Sequence, residues 1–204
     1  MNQQEFFAEW SRIHGDAKVS GIVRSWLKVS YWLTRPLVAA RISPNLLSLT
    51  AILMGAAFLF SIDSNWSALF LVISLALDGI DGTLAITTRK TSKFGALLDS
   101  VSDRVVESCW AFGLYLLGAP WQIVGVAWIT AFLQEYLRAR AGGLGIKEVL
   151  IVTVAERPVR ASLIFIGLVA NAIDINLILQ VAVLWAILQS VSVITLLRAL
   201  RSRL

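Results

Sequence analysis

The sequence predicts an all-α integral membrane protein in which six transmembrane helices follow an N-terminal interfacial amphipathic helix. Two observations predict this class. Hydrophobic residues make up 57% of the 204 residues, too large a share for an ordinary soluble domain of this length. They also gather into six stretches, each close to the length that crosses ~30 Å of hydrocarbon as a helix. These stretches are residues 44–62, 66–87, 94–117, 121–137, 158–173 and 176–197.

The basic residues predict how these spans are oriented. All 18 lysines and arginines fall on one side: before span 1, around the loops between spans 2 and 3 and between spans 4 and 5, and at the C-terminus. Because short cytoplasmic loops collect lysine and arginine, both termini of this multi-pass protein are expected in the cytoplasm. We expect a bacterial cell membrane as its location. Orientation and anionic lipid explain the net charge of +5, so no nucleic-acid partner is expected.

The chain is predicted to divide into an interfacial segment, residues 1–43, and one six-helix membrane domain, residues 44–204. In the first segment, apolar residues recur near helical spacing between basic residues. The apolar set is Val19, Ile22, Val23, Trp26, Leu33 and Leu37. This pattern is typical of a helix lying in the headgroup plane, and a cytoplasmic helix packed on protein is the alternative. Ser43 and Pro44 supply an N-cap and a first-turn proline for span 1.

Four aspartates within spans 2 and 3 carry the functional prediction. Asp78 and Asp81 are three residues apart and Asp99 and Asp103 four apart, so each pair lies on one helical face. In an antiparallel hairpin that turns near Lys90, Asp81 and Asp99 lie at one level and Asp78 and Asp103 at the next, so the two pairs can meet. Carboxylates gathered at membrane depth repel one another unless cations neutralise them, and hard oxygen ligands favour Mg2+ or Mn2+ over Zn2+. A structural ion or a buried polar network is the alternative.

Small residues accompany the aspartates. Gly82, Ala85 and Gly95 lie on or beside the same helical faces, where missing side-chain bulk would admit a large ligand. Helix packing is the alternative explanation for them. The carboxylates also permit a small ion transporter, but their pairing within one hairpin, without an inverted repeat, favours an enzyme.

The stretches Asp78–Ala85 and Gly95–Asp103 together resemble the signature of the CDP-alcohol phosphatidyltransferases, D-x-x-D-G-x-x-A-R-x8-G-x3-D-x3-D. Seven of its eight fixed positions match in register. The departure is Ile86, where the family has an arginine near the nucleotide end of the site. A catalytically silent CDP-lipid-binding homologue is therefore an alternative to an active enzyme.

The resemblance implies a metal-dependent enzyme of phospholipid biosynthesis that transfers a phosphatidyl group from CDP-diacylglycerol to a polar alcohol and releases CMP. It also implies a homodimer. Asp103 would complete the metal site and act as general base. The other metal ligands would be Asp78, Asp81 and Asp99. The residues expected to contact the CDP-lipid are Gly82, Ala85, Gly95 and Arg89, the last as a substitute for the missing motif arginine.

A second basic cluster suggests the acceptor. The segments around Arg138 and Arg157 resemble the phosphate-acceptor pocket of actinobacterial phosphatidylinositol phosphate synthases. The residues expected to bind the acceptor phosphate are Arg138, Arg140, Arg157, Arg160 and Arg198. Guanidinium groups offer paired donors to a phosphomonoester, so an acceptor that already carries a phosphate is expected rather than free inositol or serine. The resemblance favours inositol 1-phosphate, with glycerol 3-phosphate as the alternative. Any single arginine is also explained by orientation alone. Glu107 is expected to pair with an arginine or to face a polar cavity.

Overall fold

The computed structural model describes residues 1–13, 15–146 and 151–203. This described part contains eight α-helices and no β-strand. The helices are α1 (Gln3–Ile13), α2 (Gly21–Ala39), α3 (Pro44–Phe60), α4 (Trp66–Thr87), α5 (Lys93–Leu116), α6 (Trp121–Gly143), α7 (Arg157–Asn171) and α8 (Ile178–Arg201). The all-α prediction is confirmed.

A helix occupies each of the six predicted apolar stretches, from α3 to α8. Among the described residues, α4 and α8 are long and apolar enough to cross a membrane by length and composition. A third candidate span arises only if α2 and α3, which meet at a bend of 109°, are taken together. The other helices are short or carry charged residues, so six crossings stays a prediction.

The N-terminal segment contains two helices where the sequence pattern predicts one. Helix α2 covers the predicted amphipathic stretch, and its apolar side chains Trp26 and Trp32 are exposed. Helix α1 lies before α2 in the chain. The turn between the two helices contains Gly15 and Asp16, whose φ angles are positive, at 65° and 59°. At the start of α3, the Leu46 amide donates a 3.3 Å hydrogen bond to Ser43 Oγ, which confirms the predicted N-cap.

The chain divides into two compact units. The first unit comprises Met1–Leu53 and Ile73–Asp103, and the second comprises Met54–Val72 and Arg104–Leu204. The first unit contains α1, α2, the start of α3, and the parts of α4 and α5 that carry the predicted metal ligands. The second unit contains the predicted acceptor arginines.

The core of the first unit consists of two apolar clusters. One is formed by Leu47, Ile80 and Leu84, and the other by Phe6, Leu27 and Ile86. Between them, Gly79 of α4 faces the indole of Trp26, and a Cβ at Gly79 would lie 2.5 Å from Trp26 Cζ2. Glycine at position 79 therefore lets α2 pack directly against α4.

The core of the second unit lies where α8 packs against α6 and α7. Small residues on α6, including Ala127 and Ala131, are fully buried, as is the large side chain of Trp185 on α8. Small residues at a helix contact let the backbones approach closely. This packing positions the polar side chains of α6 and α8 described below.

Candidate metal and donor site

Three of the four predicted metal ligands converge in the first unit. Asp78 on α4 and Asp99 and Asp103 on α5 are half-buried, and each offers a carboxylate oxygen within 4.8 Å of the others. Oxygen ligands of this kind suit a hard divalent cation such as Mg2+ or Mn2+. The residues present therefore fit the metal that the sequence predicts.

The turn between α4 and α5 sets the register of these carboxylates. Arg89 adopts a positive φ of 56°, and the Lys90 amide donates a 2.8 Å hydrogen bond to the Ala85 carbonyl. This arrangement ends α4 in the way that left-handed residues end many helices. Ser92 then accepts a 2.9 Å hydrogen bond from the Gly95 amide at the start of α5. The chain thus reverses near Lys90, as the spacing of the aspartates predicts.

The fourth aspartate, Asp81, is placed differently. It is only 4% exposed, and its carboxylate accepts a hydrogen bond from the Ser48 hydroxyl on α3. Among the described residues, the group of three converging carboxylates does not include it. Ser48 was not identified from the sequence, because one serine in an apolar span carries no pattern that links it to a distant aspartate.

Beside these carboxylates lies a cavity of about 360 Å3. Asp81 and Asp99 line it, together with the three predicted small residues, Gly82, Ala85 and Gly95. A Cβ added at Gly82 would meet no atom within 4 Å, so the helix backbone there faces open space. The volume lies within the range of pockets that hold small ligands. The small residues thus lie where the sequence places a ligand.

Basic residues lie around this cavity. Arg12 of α1 and Lys90 line it, and Arg12 also lines a neighbouring cavity of about 580 Å3 together with Arg89, Glu5 and Glu9. Arg12 was not among the residues singled out from the sequence. Arg12 lines the cavity because α1 packs against other helices of the first unit, and no local spacing in the sequence predicts that packing.

Ile86, the one position that departs from the motif, lies in an apolar environment. Ile86 is 6% exposed and packs with Phe6 of α1 and Leu27 of α2. The side chain that replaces the family's arginine is therefore part of an apolar cluster that holds the N-terminal helices.

In the second unit, Arg160 lies at the centre of a buried polar network. Its side chain is fully buried, with Nε 2.6 Å from Glu107 Oε1 and Nη1 3.2 Å from Gln189 Oε1. Its Nη2 is 3.6 Å from Glu135. Glu107 also pairs with Arg104, so the predicted pairing of Glu107 with an arginine is confirmed. The surrounding carboxylates already balance the charge of Arg160.

The network continues to Arg138. This arginine makes a two-pronged contact with Glu156, at 2.6 and 2.9 Å, and lies 3.4 Å from Glu135. Glu156 also accepts hydrogen bonds from the amide and hydroxyl of Thr153 at 2.7 and 2.8 Å. Burial alone would raise the pKa of Glu156, but the hydrogen bonds from Arg138 and Thr153 hold it below its ordinary value.

The remaining predicted acceptor residues lie in other settings. The guanidinium carbon of Arg157 lies 5.3 Å from the centre of the Trp110 ring, a distance typical of a cation–π contact. Arg140 and Arg198 are exposed. The five arginines therefore divide into two within the ion-paired network, one over an indole and two at the surface.

Comparison with known proteins identifies the class that this fold and site define. Residues 41–197 match the CDP-alcohol phosphatidyltransferase family. The chain is also 33% identical over 155 residues to the archaetidylinositol phosphate synthase of Pyrococcus horikoshii, covering 74% of this chain and 82% of that protein. The chain therefore belongs to the CDP-alcohol phosphatidyltransferase family, as its aspartate motif predicts.

Two further relatives have related names. The phosphatidylinositol phosphate synthase of Corynebacterium glutamicum is 29% identical over 166 residues, covering 74% of this chain and 73% of that protein. The fold resembles the crystal structure of Mycobacterium tuberculosis phosphatidylinositol phosphate synthase with CDP-DAG bound. The TM-score is 0.71 at 19% identity, over 84% of this chain and 93% of that one. The mycobacterial enzyme has also been solved with manganese and citrate.

Proposed function

We propose that this protein transfers a phosphatidyl group from CDP-diacylglycerol to a phosphorylated polar alcohol at the cytoplasmic face of the membrane. The observation that carries the proposal is the convergence of Asp78, Asp99 and Asp103 in a chain of this family. The CDP-DAG bound to the mycobacterial enzyme of similar fold supports the choice of donor.

Asp78, Asp81, Asp99 and Asp103 would hold Mg2+ or Mn2+. A bound metal would supply positive charge against the negative charge that develops on the leaving CMP. Ser48 donates a hydrogen bond to Asp81 and so fixes the direction of that carboxylate. Manganese in the mycobacterial structure supports a divalent cation.

Asp103 is the general base. Its carboxylate accepts the proton of the acceptor hydroxyl while that oxygen attacks the phosphorus that bears the lipid. A new phosphorus–oxygen bond forms as the bond to CMP breaks. Gly82, Ala85 and Gly95 leave room for the donor headgroup against the helix backbones.

The acceptor is a phosphorylated polyol, with inositol 1-phosphate favoured over glycerol 3-phosphate. The names of the Pyrococcus and Corynebacterium relatives support this choice. The phosphate-binding residues are taken from the predicted set Arg138, Arg140, Arg157, Arg160 and Arg198. Within that set, Arg138 and Arg160 also organise the site, because carboxylates pair with them.

The Pyrococcus relative also raises a second donor. That protein is named archaetidylinositol phosphate synthase, so an archaetidyl group takes the place of the phosphatidyl group in its name. The CDP headgroup is common to both lipids, and the same carboxylates would serve either. CDP-archaeol is therefore the alternative donor.

In the membrane, helices α3 to α8 form six spans, both termini lie in the cytoplasm, and α2 lies in the headgroup plane. Exposed Trp66 and Trp121 at the starts of α4 and α6 support this arrangement, because aromatic rings favour the membrane interface. A homodimer is part of the proposal through the family resemblance.

The deciding experiment uses purified protein in detergent with Mg2+, CDP-diacylglycerol or CDP-archaeol, and a panel of acceptors. The panel contains inositol 1-phosphate, glycerol 3-phosphate, inositol and serine. We expect CMP release and a phosphorylated lipid product with inositol 1-phosphate, neither product with chelator, and greatly slowed formation of both with Asp103→Asn. Product from glycerol 3-phosphate alone would support the alternative acceptor. CDP-lipid binding without CMP release in any combination would identify a silent homologue.

A further inference from the structure

We propose that Arg12 of α1 binds a phosphate group of the nucleotide donor, and that buried Ile86 holds α1 where this contact is made. The inference rests on the proposed function, because it adds a donor-binding residue to that site. It assigns a role to a helix outside the family match, which begins at residue 41.

The first step is the attachment of α1 to the rest of the first unit. Phe6 is fully buried, and its ring stacks on Tyr31 of α2 with 5.5 Å between centroids. Leu27 and Ile86 complete the cluster around it. The Tyr31 hydroxyl also donates a 2.9 Å hydrogen bond to the Met1 carbonyl. Helix α1 therefore packs against α2 and α4, and Ile86 is part of the apolar surface that it contacts.

The second step is the position that this attachment gives to the end of α1. Glu9 and Arg12 line the same cavity as Asp81 and Asp99. Arg12 is one turn beyond Glu9, and its guanidinium binds the Glu9 carboxylate at 2.6 and 2.9 Å. The Arg12 side chain is 70% exposed. A solvent-exposed ion pair contributes little stability, so a phosphate can replace Glu9 at small cost.

The third step is the charge that a nucleotide diphosphate meets in this cavity. Three carboxylates, those of Glu9, Asp81 and Asp99, line the cavity, so an anionic ligand needs cations beside it. Among the described residues lining this cavity, the basic side chains are Arg12 and Lys90; Arg89 lines the neighbouring cavity, which Arg12 also lines. A guanidinium presents paired donors that match phosphate oxygens, which an ammonium group does not. Arg12 is therefore the better candidate.

The packing of Ile86 and the position of Arg12 are linked. Ile86 packs with Phe6 and Leu27 and also lines this cavity, so an arginine at position 86 would bring a charge into the cluster against which α1 packs. With isoleucine there, α1 packs closely, and its last turn brings Arg12 to the cavity. The cation that the motif lacks on α4 is thus supplied from α1.

The test measures donor affinity by titrating CDP-diacylglycerol in detergent with Mg2+ into full-length protein. We expect Arg12→Ala to weaken donor binding about tenfold, the low end for a charge-assisted hydrogen bond because the side chain is exposed. Arg12→Lys should recover part of that loss, since the charge returns without the paired donors. The KM for the acceptor should stay unchanged. Arg24→Ala, which removes an exposed arginine from α2, is the matched control and should bind normally.

A second variant tests the packing of α1 against Leu27 and Ile86. Phe6→Ala should weaken donor binding to a similar extent, and adding Arg12→Ala to it should cause little further loss, because both changes remove the same contact. Fully additive losses would contradict the inference. Normal donor binding by Arg12→Ala, or a loss confined to Arg89→Ala, would overturn the role of Arg12 and leave the proposed function standing. Failure of the wild-type protein to bind CDP-lipid would overturn both.

Discussion

Single residues of the metal site can be tested by removing charge with almost no change in shape. Asp78→Asn or Asp99→Asn replaces an anionic ligand by a neutral amide, so we expect activity to be abolished together with metal binding. Mn2+ binding can be followed by electron paramagnetic resonance, and CMP release reports activity. Full activity in the presence of chelator would rule out the metal mechanism.

Asp103 is expected to respond differently from the other carboxylates. Asp103→Asn should retain CDP-diacylglycerol binding while turnover falls by about 10^2- to 10^4-fold, the usual cost of losing a general base. Titration of the donor and single-turnover kinetics separate the two effects. An equal loss of binding and turnover would make Asp103 chiefly a metal ligand.

The arginines of the second unit should divide according to their surroundings. Arg157→Ala should raise the KM of the acceptor far more than that of CDP-diacylglycerol, by about 10- to 150-fold. Arg160→Ala should instead lower stability by roughly 3 to 5 kcal/mol, because Glu107 is only 1% exposed and loses a partner. Acceptor kinetics and thermal unfolding distinguish the two outcomes.

Unchanged acceptor KM in Arg157→Ala, Arg140→Ala and Arg198→Ala would remove the basis for a phosphate pocket. These arginines would then be explained by membrane orientation alone. Normal stability of Arg160→Ala would contradict the structural role inferred from its ion pairs.

Among the secondary-structure elements, the close contact between α2 and α4 depends on one glycine. Gly79→Ala would place a methyl group 2.5 Å from the Trp26 ring, so Trp26 must move and the melting temperature should fall. Gly125→Ala on α6 is the matched control, since no atom lies within 4 Å of its added Cβ. The control should be neutral or slightly stabilising, because alanine favours helix over glycine. Equal melting temperatures for the two variants would contradict this role for Gly79.

The elements that sequence reasoning located are those with a long local signal. Helices α3 to α8 follow from continuous apolar stretches, and the aspartate hairpin follows from spacing that is symmetrical about Lys90. Helix α1 has only 11 residues and a few aromatic side chains, and its stability depends on Phe6 packing against other helices. The hydrogen bond between Ser48 and Asp81 spans 33 positions. Contacts between distant segments have no local period, so they could not be predicted.

At the scale of the whole molecule, the orientation in the membrane is open to direct measurement. Cysteines introduced at Asp63 or Asp174 should react with an impermeant reagent added outside the cell, and a cysteine at Lys90 should not. The single native cysteine, Cys109, is first replaced by alanine. The expected result follows from the bias of basic residues toward the cytoplasm. External labelling at Lys90 would reverse the proposed orientation.

In the second unit, the sequence identified the charged residues but not most of the residues that they contact. It identified the arginines and anticipated that Glu107 pairs with one of them. It did not predict that Glu135 lies between Arg138 and Arg160, since α6 and α7 must pack before these side chains meet. As a result, residues expected to act alike in phosphate binding occupy different environments.

The contact between Arg160 and Glu107 bears on how the chain enters the bilayer during synthesis. An arginine at the centre of a membrane helix costs about 2.5 to 3.5 kcal/mol on insertion, and an unpaired arginine in the first turn, as Arg160 is in α7, costs part of that. Helix α5 leaves the ribosome before α7, so the Glu107 carboxylate is already present when Arg160 arrives. In the proposed arrangement α7 crosses the membrane, so its insertion depends on α5 already lying beside it in the bilayer. Replacing Glu107 would therefore impair assembly before it could affect any finished enzyme.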